Sequence, residues 1–256
     1  SYGSLGATIT GSGQHSPILL ATAKDSSIDA TGMNLIASGR DATAVRVEGG
    51  AYGKIDATTD IDLTGVGSLA GSVQGASTTI YGDTDTTGAS VLDSYATLRT
   101  SGGVAAGAMG YKVATGGTLN HHGIVTLTAA DSVGVEINGG SMNNDSKITV
   151  SGTAVDIIGA NSVVNNTGAT TAINGTAAYR LSDGASLALS GSGSTNAAGT
   201  AHGILLDTGA VGLIVNGATI NMAASGFGNG IENKAEISGI QLLNTTLNVG
   251  RGAGVR

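Results

Sequence analysis

Cysteine is absent from the 256 residues, which removes disulfides, thiolate metal sites and cysteine nucleophiles together and leaves every compartment open. Aromatic residues make up only 3% and charged residues 11%, about half the globular average for charge, so neither an aromatic core nor a charge-laced helix is available. Lysine and arginine form no run, and 18 acidic against 11 basic residues give a formal charge of −7. A chain of that balance has no means of neutralising a phosphate backbone, and nucleic acid is excluded as a partner. No apolar stretch approaches the roughly 18 residues of a membrane span. The start, Ser1-Tyr2-Gly3, carries neither the basic nor the apolar region of a secretion signal, so an exported form is expected to have lost it.

What is abundant is glycine, 44 residues against a single proline, with Ala, Ser, Thr, Val, Ile and Leu supplying most of the rest. Each interior glycine costs a helix roughly 1 kcal/mol, and the remaining vocabulary is that of strands and turns. One rod, all-β and with an aliphatic core, is expected rather than two globular domains.

A short motif recurs along the whole chain: apolar, any residue, apolar, then a turn rich in Gly, Asn, Asp or Ser. The clearest copies begin at Val45, Tyr111, Val135, Val155 and Tyr179, as in Val135-Glu136-Ile137-Asn138-Gly139-Gly140. Looser copies begin at Ile18, Gly71, Val91, Ile204, Ile231 and Val255, giving intervals of 27, 26, 20, 20, 24, 20, 24, 25, 27 and 24. Between them lie further runs of alternating apolar residues, such as Ile148-Thr149-Val150 and Leu213-Ile214-Val215, and a period of two means strands. Ile28-Asp29-Ala30-Thr31 returns as Ile55-Asp56-Ala57-Thr58, 27 residues on, and stacked coils are expected to set the two side by side. An antiparallel meander needs tight two-residue turns, and the leucine and asparagine ladder of leucine-rich repeats is missing. The fold class predicted is a single-stranded right-handed parallel β-helix over residues 1–256, ten coil intervals and roughly 50 Å long at about 4.8 Å per coil. The chain stops at Gly254-Val255-Arg256, where another anchor begins, so a longer solenoid is expected.

The run Gly117-Thr118-Leu119-Asn120-His121-His122-Gly123-Ile124-Val125-Thr126-Leu127, followed by Gly134-Val135-Glu136-Ile137-Asn138-Gly139-Gly140, resembles passenger domains of bacterial autotransporters, of the pertactin-like and AIDA-type adhesin kind. The likeness is one of repeat style over most of the chain and brings no functional motif with it. It implies export through a Gram-negative outer membrane by a C-terminal barrel, absent from this sequence, and display on the cell surface.

Candidate sites were sought along the coils. The middle residues of the anchors, Arg46, Lys112, Glu136, Asp156, Arg180, Glu232 and Arg256, form one charged stripe. In it Lys112 with Glu136 and Asp156 with Arg180 are opposite charges on neighbouring strands, each pair contributing roughly 0.2 to 1 kcal/mol. This stripe is the expected docking face for a partner. Asp60, Asp62, Asp83 and Asp85, with Asp56, form a second candidate surface. They lack the spacing of calcium loops, so no metal or other cofactor is expected. Asn143, Asn144, Asn165 and Asn166, with Asn120 one coil earlier, suit an amide ladder that satisfies turns. His121-His122, His15 and His202 have no H-x-x-x-H spacing and are read as surface turn residues. The function expected is adhesion, to a host matrix protein, a glycan or another copy of the chain. A β-helical polysaccharide lyase or hydrolase and a structural stalk are the alternatives. No catalytic constellation was found in the sequence.

Overall fold

The computed structural model describes residues 6–75, 88–101, 105–190 and 193–256, all of them strand, turn or irregular chain with no helix. The strands stack in parallel as a β-helix of about 9 turns. Each turn lays down three strands, one on each of three faces, because inward apolar residues alternate with outward polar ones and glycine-rich corners redirect the chain.

The first face runs from Ala7–Gly11 and Met33–Ala37 through Asp60–Leu63 and Thr97–Thr100 to Thr246–Asn248. The second carries the anchors, from Pro17–Thr22 and Thr43–Glu48 to Ile231–Asn233. Ile124–Asn138 and Lys147–Ile158 pass continuously from the first face to the second. The third face consists of Ser27–Ala30, Tyr52–Ile55, Ser90–Ser94, Gly117–His121, Ser141–Asn144, Val163–Asn166, Ser186–Ser190, Gly212–Asn216 and Ile240–Leu243.

Each face contributes its own column to the core. Leu35, Ile61, Leu98, Val125 and Ile148 are wholly buried in register on the first face, and Leu92, Leu119 and Met142 on the third. Each such side chain contributes roughly 1.5–3 kcal/mol of burial. On the second face Tyr111 replaces an aliphatic residue because the coil before it has Gly71, where a Cβ would sit 2.7 Å from the Tyr111 ring. Directly before the anchors stands a row of small residues: Ala44, Ala70, Gly110, Gly134, Ala154, Ala178, Gly203, Gly230 and Gly254. A Cβ on Gly134 would lie 2.4 Å from the Ala154 carbonyl oxygen, so coils approach here more closely than side chains allow.

Register corrects three expectations. The second-face column is Leu19, Val45, Gly71, Tyr111, Val135, Val155, Tyr179, Ile204, Ile231 and Val255. Leu19, not Ile18, therefore opens it, and Val91 is not a member. Val91 lies on the third face opposite Tyr52 and Thr118. In this strand Ser90, Leu92 and Ser94 face inward and Val91 outward, so an apolar residue taken as an anchor by spacing fell in the opposite phase. Nine intervals result, one of them the 40 residues from Gly71 to Tyr111, and the stack is roughly 43 Å long. The Ile28 echo is offset as well: Ala30, not Ile28, is opposite Ile55. A shift of two residues preserves which side faces inward, which is why the copy looked aligned.

Candidate functional site

On the charged stripe, Lys112 and Glu136 are register partners, with Nζ and Oε1 2.9 Å apart. Asp156 and Arg180 are paired likewise at 3.3 Å, and Arg180 reaches on to Asp207 at 3.0 Å. The stripe is more covered than its outward positions imply, since Asp156 is 6% exposed and its Oδ1 has no hydrogen-bond partner. Burial pushes the Asp156 carboxyl up to about 6, Arg180 pulling it down and Glu136 adding to the rise. Arg46 turns inward along the same stripe to Glu48, which is fully buried and also accepts from Gln74. These charges are matched mainly with one another.

Asp60 and Asp62 flank Arg99 on the first face, each with an oxygen 3.9 Å from the guanidinium. Asp62 also accepts from the Ser101 hydroxyl at 2.6 Å. Asp83 and Asp85 lie outside the described residues. Among the described residues no three or more His, Cys, Asp or Glu side chains gather where a metal ion would sit.

The asparagines form two ladders, because adjacent residues of a strand face opposite ways. Outward on the third face, Asn120 donates to Asp93 at 2.6 Å, Asn143 to Asn120 at 2.7 Å and Asn165 to Asn143 at 2.9 Å. Inward, Asn144 donates to Asn166 at 2.5 Å and bonds the Ser146 carbonyl, tying the ladder to the corner. The inward ladder continues to His121, whose Nδ1 lies 2.6 Å from Asn144 Oδ1. His121 is fully buried, not a surface turn residue: alternation from Leu119 turns it into the core. The other histidines differ. His15 is exposed beside Asp41, and His202 is half-buried and accepts from the Asn229 amide at 3.0 Å.

Two groups escaped the sequence reading. A second outward amide ladder, Asn196, Asn221 and Asn248, runs along the first face, and its signal was the recurrence of Thr-Ile-Asn as Thr-Leu-Asn. The other is a column at the corner after the third-face strands, occupied level by level by Tyr95, His122, Asp145 and Thr167. Tyr95 and His122 are stacked with ring centroids 4.6 Å apart and planes 20° from parallel. His122 Nδ1–H donates to Asp145 Oδ2 at 2.8 Å. Beside them Tyr52 donates its hydroxyl to Asp93 at 2.7 Å, which with burial pushes the phenol up to about 12. A cavity of about 150 Å³ is lined by His122, Asn143, Asn144, Asp145, Asn165 and Thr167. The sign in the sequence was a polar or aromatic residue just after each third-face strand from Ser27–Ala30 to Val163–Asn166.

Comparison of the chain with family models, with curated proteins and with solved structures found no match.

Proposed function

We propose that this chain is a display rod of a bacterial cell surface, of the autotransporter passenger kind, whose outer faces bind a host matrix component, a glycan or a second copy of the chain. The observation that carries the reading is the outward amide row of half-buried Asn120 and exposed Asn143 and Asn165. The nearest-neighbour stacking of coils holds these groups at a spacing of about 4.8 Å, and each hydrogen-bonds the next. A surface ordered in this way before any partner arrives loses little entropy on binding. In this reading the paired stripe of Lys112, Glu136, Asp156 and Arg180 tunes the neighbouring face electrostatically, and export and anchoring belong to a barrel encoded outside these residues.

The test is binding of the purified chain to an array of glycans and matrix proteins, incubated long enough for any spot to be cleaved. Retained protein on intact spots is the expected result. Cleaved spots would replace the reading with a polysaccharide-degrading enzyme. Silence, together with no clumping of cells that display the full-length protein, would leave a stalk.

A further inference from the structure

The corner column of the third face stops being aromatic at His122. Tyr95 and His122 stack as two flat rings, and the next two levels supply only Asp145 and Thr167. The third-face registers place all four in one file. The rings thus end in a step, and at that step lies the cavity bounded by His122, Asn143, Asn144, Asp145, Asn165 and Thr167.

The chemistry of the step is specific. Asn143 and Asn165 are exposed, and each amide has one donor hydrogen committed to the ladder. An amide has two such hydrogens and two acceptor lone pairs, so both side chains retain a donor and an acceptor in a fixed orientation. Asp145 adds an exposed carboxylate, of which only Oδ2 is engaged, by a single bond to His122, so most of its acceptor capacity is open. Thr167, an exposed residue, turns its hydroxyl hydrogen toward the Asn144 carbonyl at 3.4 Å and keeps its oxygen as an acceptor. The lining contains no lysine or arginine, which disfavours sulfated or carboxylated ligands, and it combines the flat face of the His122 imidazole with convergent donors and acceptors.

We propose that this step is a binding subsite for a neutral pyranose sugar. The sugar's C–H face continues the ring stack beyond His122, and its hydroxyls donate to Asp145 and Thr167 and exchange hydrogen bonds with Asn143 and Asn165. Tyr95 is a positioning residue that fixes the His122 ring plane. The assignment rests on the display reading above and narrows its ligand class. Because neighbouring levels repeat the amides and not the rings, one sugar unit is anchored by stacking and the units beyond it by the Asn row, so the ligand is an oligosaccharide lying along the coil axis.

The test is calorimetric titration of the chain with cellohexaose, maltohexaose and mannohexaose, with a heparin hexasaccharide as the anionic comparator. Binding of at least one neutral hexasaccharide is expected, weakened at least tenfold by His122→Ala and by Asn143→Ala. Thr126→Ala, on the first face, is expected to leave it unchanged. Circular dichroism and the melting temperature of each variant separate loss of binding from loss of fold. For a variant that fails to fold, the fallback is a shift of the wild-type His122 ring resonances on adding the sugar, and unmoved resonances would count against the site. Absence of binding by every neutral sugar, or binding that survives both variants, overturns the assignment. If heparin or a matrix protein alone is bound, the display reading stands and this subsite falls. If nothing is bound and displaying cells neither adhere nor clump, both fall.

Discussion

Inside the core, His121 Nδ1 stands 2.6 Å from Asn144 Oδ1, while the other ring nitrogen is buried with no partner. Asn144 uses its own donor on Asn166, so the oxygen faces His121, and the imidazole is the neutral form with its proton on Nδ1. Burial pushes its pKa down to about 4, against an opposing pull from the Asn144 bond. The unfolded chain takes up a proton near pH 6.5 and the folded chain only near pH 4. Stability is therefore full above pH 6.5 and falls as pH drops through that window, by about 3 kcal/mol. His121→Asn keeps a ladder amide and removes the titration. Urea midpoints at pH 7 and pH 4 should converge in the variant, and an undiminished pH slope would refute this account.

Asp156 acts with the opposite sign. Its folded pKa is raised to about 6, so the folded state holds a proton that the unfolded state releases near pH 4, and stability is lost as pH rises from about 4 to about 6. Asp156→Asn still accepts from Arg180, and Asp207 still holds that guanidinium. The variant is expected to gain up to about 3 kcal/mol at pH 8 and nothing at pH 4. Equal changes at both pH values would place its effect elsewhere.

Asn144 and Asn143 are neighbours in sequence with unequal stakes. Asn144→Ala strands His121 Nδ1 and Asn166 Oδ1 in the core and is expected to cost about 2–4 kcal/mol. Asn143→Ala exposes its ladder partners to water and is expected to cost less than about 1 kcal/mol. Chemical denaturation of the two variants side by side decides this, and equal losses would mean that the inward ladder carries no special weight.

The two buried tyrosines on the second face make a similar contrast. Tyr111 shares a 2.6 Å hydrogen bond with Ser94. The Tyr179 hydroxyl is held more loosely: it lies beside Thr170 and Asn166 but makes no hydrogen bond of ordinary geometry, and both of those side chains also reach backbone carbonyls. Tyr111→Phe is expected to cost about 1 kcal/mol or more, and Tyr179→Phe to be neutral or stabilising by up to about 1 kcal/mol. A larger loss at Tyr179 than at Tyr111 in thermal melts would reverse the assignment.

The parallel β-helix was legible in the sequence because its signal is repeated: alternation puts Val135 and Ile137 inward, and the motif recurs at nearly every turn. Which face a strand belongs to was less legible, since Val91 and Leu92 are both apolar and only Leu92 faces inward, the reverse of the phase in Val45-Arg46-Val47. From the second coil on, the row of small residues before the anchors, Ala44 through Gly254, would have separated them, because Ser90 precedes Val91 where the row has Ala or Gly. Local charge pairing was also readable, as Lys112 and Glu136 are one 24-residue interval apart. The Tyr95–His122 column was not, since its members lie 27 residues apart in a chain whose coil length varies, and stacking depends on register rather than composition. Asp156 shows a further limit: alternation gives the direction of a side chain and not what covers it.

The 40-residue coil from Gly71 to Tyr111 has a neck, where the Gly88 amide donates to the Gly75 carbonyl at 3.0 Å and Gly75 in turn donates to Thr115. The coils on either side, through Val73 and Val113, remain in register across it. The height of each coil along the axis is thus set by the ladder that flanks it and not by the number of residues a turn consumes.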